Sequence, residues 1–145
     1  MKKLVQVICV LLCSMMIGCS LPSASKKDAK KYVIVKQLDH ASIDEIAVAI
    51  ENELKELDKT ADVEIYSGQN DQSTLMQIGK QAVTDGADVI IPIGTLAAQT
   101  MVVASEDTEI PVVYATISDP EAASLTGIDR VTGTSDALNT KQFVD

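Results

Sequence analysis

The sequence is poor in aromatic and nucleophilic side chains: its 145 residues include no tryptophan, one phenylalanine, one histidine and three cysteines. The near absence of Trp and Phe leaves no platform on which nucleic-acid bases could stack. The formal net charge of −9 also disfavours a nucleic-acid partner, because neutralising phosphates requires a basic face. There is no G-x-G-x-x-G motif and no P-loop, so the usual cradles for dinucleotides and nucleoside triphosphates are missing. We expect no cofactor.

Catalytic groups are equally sparse. His40 is the single histidine, and no G-x-S-x-G elbow accompanies it, so a hydrolytic triad lacks a nucleophile in its usual setting. One histidine without cysteine partners also makes a poor zinc site. We therefore expect neither an enzyme nor a metal protein, and we interpret His40 as a loop residue.

The N-terminus has the pattern of a secretory signal. Two lysines precede an apolar run over residues 4–17, which is shorter than the about 20 residues that a membrane-spanning helix needs. The run ends at Met16-Ile17-Gly18-Cys19, which resembles the lipobox of bacterial lipoproteins, although Met16 stands where that motif usually has leucine. The resemblance implies cleavage after residue 18 and lipidation of Cys19. Ordinary secretory cleavage and an uncleaved signal anchor are the alternatives.

The other cysteines agree with this interpretation. Cys9 and Cys13 lie inside the signal, so Cys19 would be the only cysteine left, without a disulfide framework or a cysteine metal site. Residues 20–31 are small, polar and basic, which is typical of a flexible tether. We therefore divide the chain into a signal peptide (1–18), a lipidated tether (19–31) and a domain (32–145). This organisation predicts a protein anchored by lipid on the extracytoplasmic face of the cell membrane.

Strands and helices alternate from residue 32 onward. Apolar, β-branched runs predict strands over residues 32–35, 63–66, 89–93, 111–115 and 131–135. Apolar residues recur at helical spacing over 42–57 and 75–83, and a helix of small residues is predicted over 96–105. Ser42 with Glu45 three positions later predicts a capping box for the first helix. Asp71 or Ser73 can cap the second.

This order of elements predicts an α/β fold, a doubly wound parallel sheet of the flavodoxin-like kind with right-handed crossovers. Ligands of such sheets bind outside the carboxyl ends of the strands. That rule selects four loops, at residues 37–41, 67–73, 94–97 and 116–120.

Two of these loops carry groups suited to a zwitterion. The segment Gly94-Thr95-Leu96-Ala97 opens a helix, whose unpaired N–H groups and dipole favour an anion such as a carboxylate. An ordinary cap at Thr95 would explain the same residues. After the fourth strand, Asp119 could accept from an ammonium group beside Ser118, or it could cap the turn that begins at Pro120. The two loops together would suit an α-amino acid.

Five segments of the domain carry a family resemblance. They are Leu38-Asp39-His40-Ala41, Asn70-Asp71-Gln72-Ser73-Thr74, Ile93-Gly94-Thr95-Leu96-Ala97-Ala98-Gln99, Ala115-Thr116-Ile117-Ser118-Asp119-Pro120 and Val131-Thr132-Gly133-Thr134-Ser135-Asp136. In this order they resemble the substrate-binding lipoproteins of ABC importers of the tryptophan/tyrosine type, which have a periplasmic-binding-protein type I fold. The resemblance runs from Tyr32 to the end of the sequence.

The resemblance implies roles for nine residues. The ligand carboxylate would be held by Thr95, Leu96 and Ala97. The amino group would face Ser118 and Asp119. The remaining cleft-lining positions would be Asp39, His40, Ser73 and Ser135.

The resemblance also implies partners and a departure in length. The ligand would be a small amino acid, often aromatic, delivered to an ABC permease. Such proteins are two-lobed clamps, so we expect this chain to be the N-terminal, incomplete part of the first lobe, which alone would aggregate or stay molten. The alternative is a self-sufficient flavodoxin-like lipoprotein that acts as an interaction module, and it predicts a cooperatively folding monomer.

Overall fold

The computed structural model describes residues 29–136. Its strands are β1 Lys31–Lys36, β2 Asp62–Ser67, β3 Val89–Ile93, β4 Val112–Tyr114 and β5 Val131–Gly133. Its helices are α1 Ala41–Leu57, α2 Gln72–Thr84 and α3 Thr95–Ala104. Each element predicted from the sequence is present, with bounds shifted by at most three residues. The signal, Cys19 and the tether up to residue 28 lie outside the described residues.

The five strands form one parallel sheet in the order β2-β1-β3-β4-β5. The chain runs outward from β1 to β2, crosses back to β3, and then continues outward through β4 to β5. The direction of winding therefore reverses between β1 and β3, which is where a doubly wound sheet forms its ligand crevice. The predicted α/β fold is confirmed.

Helix α1 covers one face of the sheet. Successive strand residues point to opposite faces, so β1 directs Ile34 to this side and Val33 and Val35 to the other. The buried side chains between α1 and the sheet are Ala47 of the helix and Ile34, Ile91 and Ile93 of the strands. The α1 residues that pack on them recur at helical spacing: Ile43, Ile46, Ile50 and Leu54.

Helices α2 and α3 cover the opposite face. The buried cluster there joins β1, α2, β3, α3 and β4 through Val33, Val35, Leu75, Ile90, Ala97, Met101 and Val112. Burial on both faces explains why the central strands have continuous apolar runs instead of alternating ones. A smaller cluster holds the segment after β4 against α3, and its members are Ala98, Tyr114, Ile117, Ala123 and Leu125.

The N-cap of α1 differs from the one that the sequence predicts, and the N-cap of α2 agrees with it. The N-cap of α1 is His40, whose Nδ1 accepts from the Ser42 amide at 3.3 Å, so the capping box predicted at Ser42 is wrong. His40 has an extended backbone, φ −152°, and offers a ring-nitrogen acceptor two residues before Ser42. Asp71 caps α2 as predicted, accepting from the Thr74 amide at 2.7 Å.

Arg130 lies at the amino ends of the strands, just before β5, and is bonded to the end of α3. Its guanidinium donates to the Val102 carbonyl at 2.9 Å and to the buried Ser105 hydroxyl at 3.0 Å. A cation bonded to the last carbonyls of α3 is favoured by the helix dipole. Arg130 is thereby committed to the end of the sheet away from the predicted ligand loops. Over residues 29–136, no helix combines the length and the apolar character needed to cross a membrane.

Candidate functional site

The four loops selected from the sequence all lie at the carboxyl edge of the sheet, and backbone hydrogen bonds tie them together. The Gln37 amide donates to the Ile93 carbonyl at 3.0 Å, and the Gly94 amide donates to the Ala115 carbonyl at 3.2 Å. Hydrogen bonds therefore join the carboxyl ends of β1, β3 and β4 into one continuous surface. The reversal of winding places the crevice at the first of these junctions.

Gln37 lies at the centre of this surface. Its Oε1 accepts from the Leu96 amide at 3.0 Å, and its Nε2 donates to Asn70 Oδ1 at 2.9 Å. The Asn70 amide in turn donates to the Gln37 carbonyl at 2.7 Å. Gln37 was not among the residues that the sequence predicted for the site. Nothing in a single Gln after a strand signals such a role, because the contact joins positions 59 residues apart.

The N-terminus of α3 presents backbone amides, as the sequence predicts, and one of them is already hydrogen-bonded within the protein. Gly94 is the N-cap with φ 98° and contributes no side-chain cap, so Thr95 is the first helical residue and not the cap. Thr95 is exposed, Leu96 is half-buried and Ala97 is fully buried. Since the Leu96 amide binds Gln37, the amides of Thr95 and Ala97 are the ones that find no acceptor among residues 29–136. Ala97 is 0 % exposed, backbone included, so Thr95 is the residue of this pair that a ligand can reach.

A cation lies at the end of β1, on the side of the sheet that α1 covers. The Lys36 ammonium, with its side chain 14 % exposed, contacts Asp39 Oδ1 at 2.7 Å and Asp44 Oδ1 at 2.5 Å. These two bonds, Asp39 first, raise the pKa of Lys36. The bond from Lys36, followed by one from Ser67, lowers the pKa of Asp39. A ligand carboxylate would compete with two protein carboxylates for this ammonium, so the amides of α3 are the freer anion contact.

The remaining residues predicted to line the cleft lie on the same edge. Asp39 and His40 form the turn into α1, where Asp39 is bound by Lys36 and His40 caps the helix. Ser73 is exposed in the first turn of α2. Gln69 and Asn70, which lead into that helix, both have positive φ, 51° and 57°.

The loop after β4 brings together the residues expected to face an amino group. Ser118 Oγ donates to Asp136 Oδ1 at 2.9 Å, and Ser135 Oγ contacts the Ser118 carbonyl at 3.4 Å. Asp119 Oδ1 accepts from the Ala122 amide at 2.9 Å, which is the turn-capping geometry left open by the sequence. Asp119 is nevertheless exposed, so its carboxylate lies on the surface of this loop. Asp136 is a further carboxylate of this cluster that the sequence did not single out.

The two halves of the candidate site are held against each other. Gln99 Nε2, one turn into α3, donates to the Ala123 carbonyl at 3.1 Å, and Ala98 packs in one cluster with Ala123 and Leu125. The exposed front of α3 and the exposed loop at Asp119 therefore belong to adjacent, bonded elements. In the span from residue 29 to 136, no group of three or more His, Cys, Asp or Glu side chains is arranged to hold a metal.

Comparison with known families identifies the fold. The family model for the ABC transporter substrate binding protein matches residues 31–145, which is more than half of the chain. The chain belongs to this family. A search of curated proteins finds no match.

Three solved structures share the fold. One is a domain from Streptococcus pneumonia in complex with L-Trp, 31 % identical with a TM-score of 0.70 over 79 % of this chain and 41 % of that one. A second is a ligand-free, open substrate-binding protein with adhesive properties from Clostridium difficile, 27 % identical, TM-score 0.70, with the same coverage. A third is a conserved domain protein from Vibrio cholerae, 25 % identical, TM-score 0.71, covering 80 % of this chain and 42 % of that one. The chain thus spans about two fifths of the length of these structures.

Proposed function

We propose that this chain serves as part of the solute-binding component of an ABC importer and that its ligand is an α-amino acid, with aromatic side chains favoured. The observation that carries the proposal is the pairing of two exposed features on one edge of the sheet. Helix α3 presents N-terminal amides at Thr95, and the adjoining loop presents the carboxylate of Asp119. Amides at a helix front favour a carboxylate, and a carboxylate favours an ammonium group.

Membership of the substrate-binding family supports a solute-binding role. The preference for an aromatic amino acid is drawn from the related domain from Streptococcus pneumonia, which is described in complex with L-Trp. In this proposal the loaded protein delivers its ligand to a membrane permease, and no chemical step is catalysed. The ligand contacts would come from the exposed residues Thr95, Ser118 and Asp119.

Isothermal titration with L-tryptophan and two truncated analogues tests this proposal. Tryptamine lacks the carboxylate and indole-3-propionate lacks the ammonium group. We expect L-tryptophan to bind most tightly, since each missing charged hydrogen bond costs about 1.5–3 kcal/mol, or about tenfold or more in affinity. Equal affinity for all three compounds would contradict the proposed contacts. Absence of binding to any amino acid would instead favour the interaction-module hypothesis.

We further propose that the protein is attached to the extracytoplasmic face of the membrane through a lipid on Cys19. The support is the apolar run and the Ile17-Gly18-Cys19 sequence that ends it. Cys19→Ser should release the protein from the membrane fraction and abolish incorporation of a labelled fatty acid. Membrane retention of the variant with full labelling would count against lipidation at this residue.

A further inference from the structure

We infer that Gln37 is a positioning residue of the ligand site, which fixes three of its loops in one arrangement and withdraws the Leu96 amide from the ligand. This inference rests on the proposed function, because it concerns which groups at the front of α3 a ligand carboxylate can reach. It assigns a role to a residue that neither motif spacing nor charge singled out.

The first argument is connectivity. Gln37 follows β1, Asn70 follows β2 and Leu96 follows the end of β3, and the Gln37 side chain bonds to both of the others. Its backbone bonds to Ile93 and Asn70 as well. Gln37 is half-buried. It joins the ends of three strands through its backbone N–H and carbonyl and through Oε1 and Nε2 of its side chain.

The second argument is location. β1 and β3 are the neighbouring strands between which the winding of the sheet reverses, and the Gln37–Leu96 hydrogen bond spans that junction. A crevice at this point is where doubly wound sheets bind ligands. Gln37 thus borders the crevice itself and not a remote part of the frame.

The third argument is the space made for the side chain. Gly94 has φ 98°, and a Cβ atom built there would lie 2.7 Å from Gln37 Oε1. The glycine therefore lets the glutamine oxygen approach the front of α3 and accept from its second amide. A neutral oxygen satisfies that amide without the charge of a carboxylate, so the helix front stays open to an anion at the exposed Thr95.

Replacing the neutral acceptor by a charged one gives the sharpest test. In Gln37→Glu, a carboxylate would accept from Leu96 and would repel a ligand carboxylate bound next to it. We expect the affinity for L-tryptophan and indole-3-propionate to fall about tenfold or more, while the affinity for tryptamine stays the same or rises. Gln37→Met removes both side-chain bonds without adding charge, so it should weaken L-tryptophan and tryptamine by similar factors.

A ligand-independent measurement separates this inference from the proposed function. Amide hydrogen exchange of Leu96 in the full chain should be about fivefold or more faster in Gln37→Met, because a hydrogen bond of about 1 kcal/mol is lost. Gln77→Met and Gln77→Glu on the exposed part of α2 are the matched controls and should change neither exchange at Leu96 nor binding.

The outcomes are distinct. An unchanged exchange rate at Leu96 in Gln37→Met would overturn the positioning role. Equal loss of affinity for L-tryptophan and tryptamine in Gln37→Glu would overturn the part that concerns the carboxylate. If the unmodified chain binds none of the three compounds, the proposed ligand is wrong, and faster exchange at Leu96 would still support the role of Gln37 in joining the loops.

Discussion

Gly94 and Gln37 fit together so closely that a Cβ atom on residue 94 would lie 2.7 Å from Gln37 Oε1 and 3.0 Å from Gln37 Cβ. The contact joins the end of β1 to the front of α3 across the reversal point of the sheet. The glutamine oxygen is also held by the Leu96 amide, so it cannot move away without losing that bond. The smallest side chain at position 94 is therefore a requirement of the site.

We predict that Gly94→Ala destabilises the protein by about 2–4 kcal/mol. Roughly 1–3 kcal/mol would come from a backbone conformation that only glycine adopts easily, φ 98° and ψ 155°, and the rest from the clash with Gln37. Urea unfolding followed by circular dichroism measures the free energy of unfolding.

Gly86→Ala is the matched control for this prediction. Gly86 also has positive φ, 73°, but a Cβ atom there would meet nothing within 4 Å. Its substitution should cost only the conformational part, about 1 kcal/mol. Equal losses in the two variants would show that the contact with Gln37 contributes nothing.

The ion pairs of Lys36 predict a defined pH dependence of stability. The pKa of Asp39 lies below its ordinary 3.8, so its contribution is present above that value and is lost as pH falls through the lowered pKa. The pKa of Lys36 lies above its ordinary 10.5, so its contribution is present below that value and is lost as pH rises through the raised pKa. Lys36→Gln should therefore lower the melting temperature most at pH values between the pKa of Asp39 and the pKa of Lys36.

Thermal melts at pH 7 and pH 3 measure this difference. The gap between the unmodified protein and Lys36→Gln should narrow at the acid pH. Lys80→Gln, an exposed lysine of α2, should leave the melting temperature unchanged at both. A gap that stays constant with pH would contradict the assignment of these ion pairs.

Backbone strain at the end of β4 leads to another prediction. Thr116 has φ 57°, a left-handed conformation that costs a residue with a Cβ atom roughly 1–2 kcal/mol and is unusual for a β-branched one. Thr116→Asn should raise the free energy of unfolding by about 1 kcal/mol, because Asn tolerates this region better. Thr116→Val, with the same shape, should give no gain. Destabilisation by Asn would argue against the left-handed backbone at this position.

The fold could be predicted from the sequence because its signals are local. Continuous apolar runs such as Val89–Ile93 and the helical spacing of Ile43, Ile46 and Ile50 each depend on neighbours in the chain. The parallel sheet then follows from alternation of strands and helices. Ligands of such sheets bind outside the carboxyl ends of the strands. That rule selected Thr95 and Asp119, and the fold brings both residues to the carboxyl ends of the strands.

The contacts within the site could not be predicted, because they join distant parts of the chain. Gln37 and Leu96 are 59 positions apart, and Ser118 and Asp136 are 18 apart. The cap of α1 was misassigned for a different reason: Ser42 and Glu45 fit the capping-box pattern, but His40 supplies an acceptor two residues earlier. Patterns that several residues satisfy equally well are decided by packing, which a single sequence does not contain.

The affinity of L-tryptophan for Asp119→Asn, compared with that for the unmodified chain, tests the proposed ligand contacts most directly. Asparagine keeps the oxygen that accepts from the Ala122 amide and removes only the charge, and Asp107→Asn in an exposed turn is the control. We predict a loss of about tenfold or more in Asp119→Asn and no change in the control. Unchanged binding of L-tryptophan by Asp119→Asn would contradict the assignment of this carboxylate to the ligand's ammonium group.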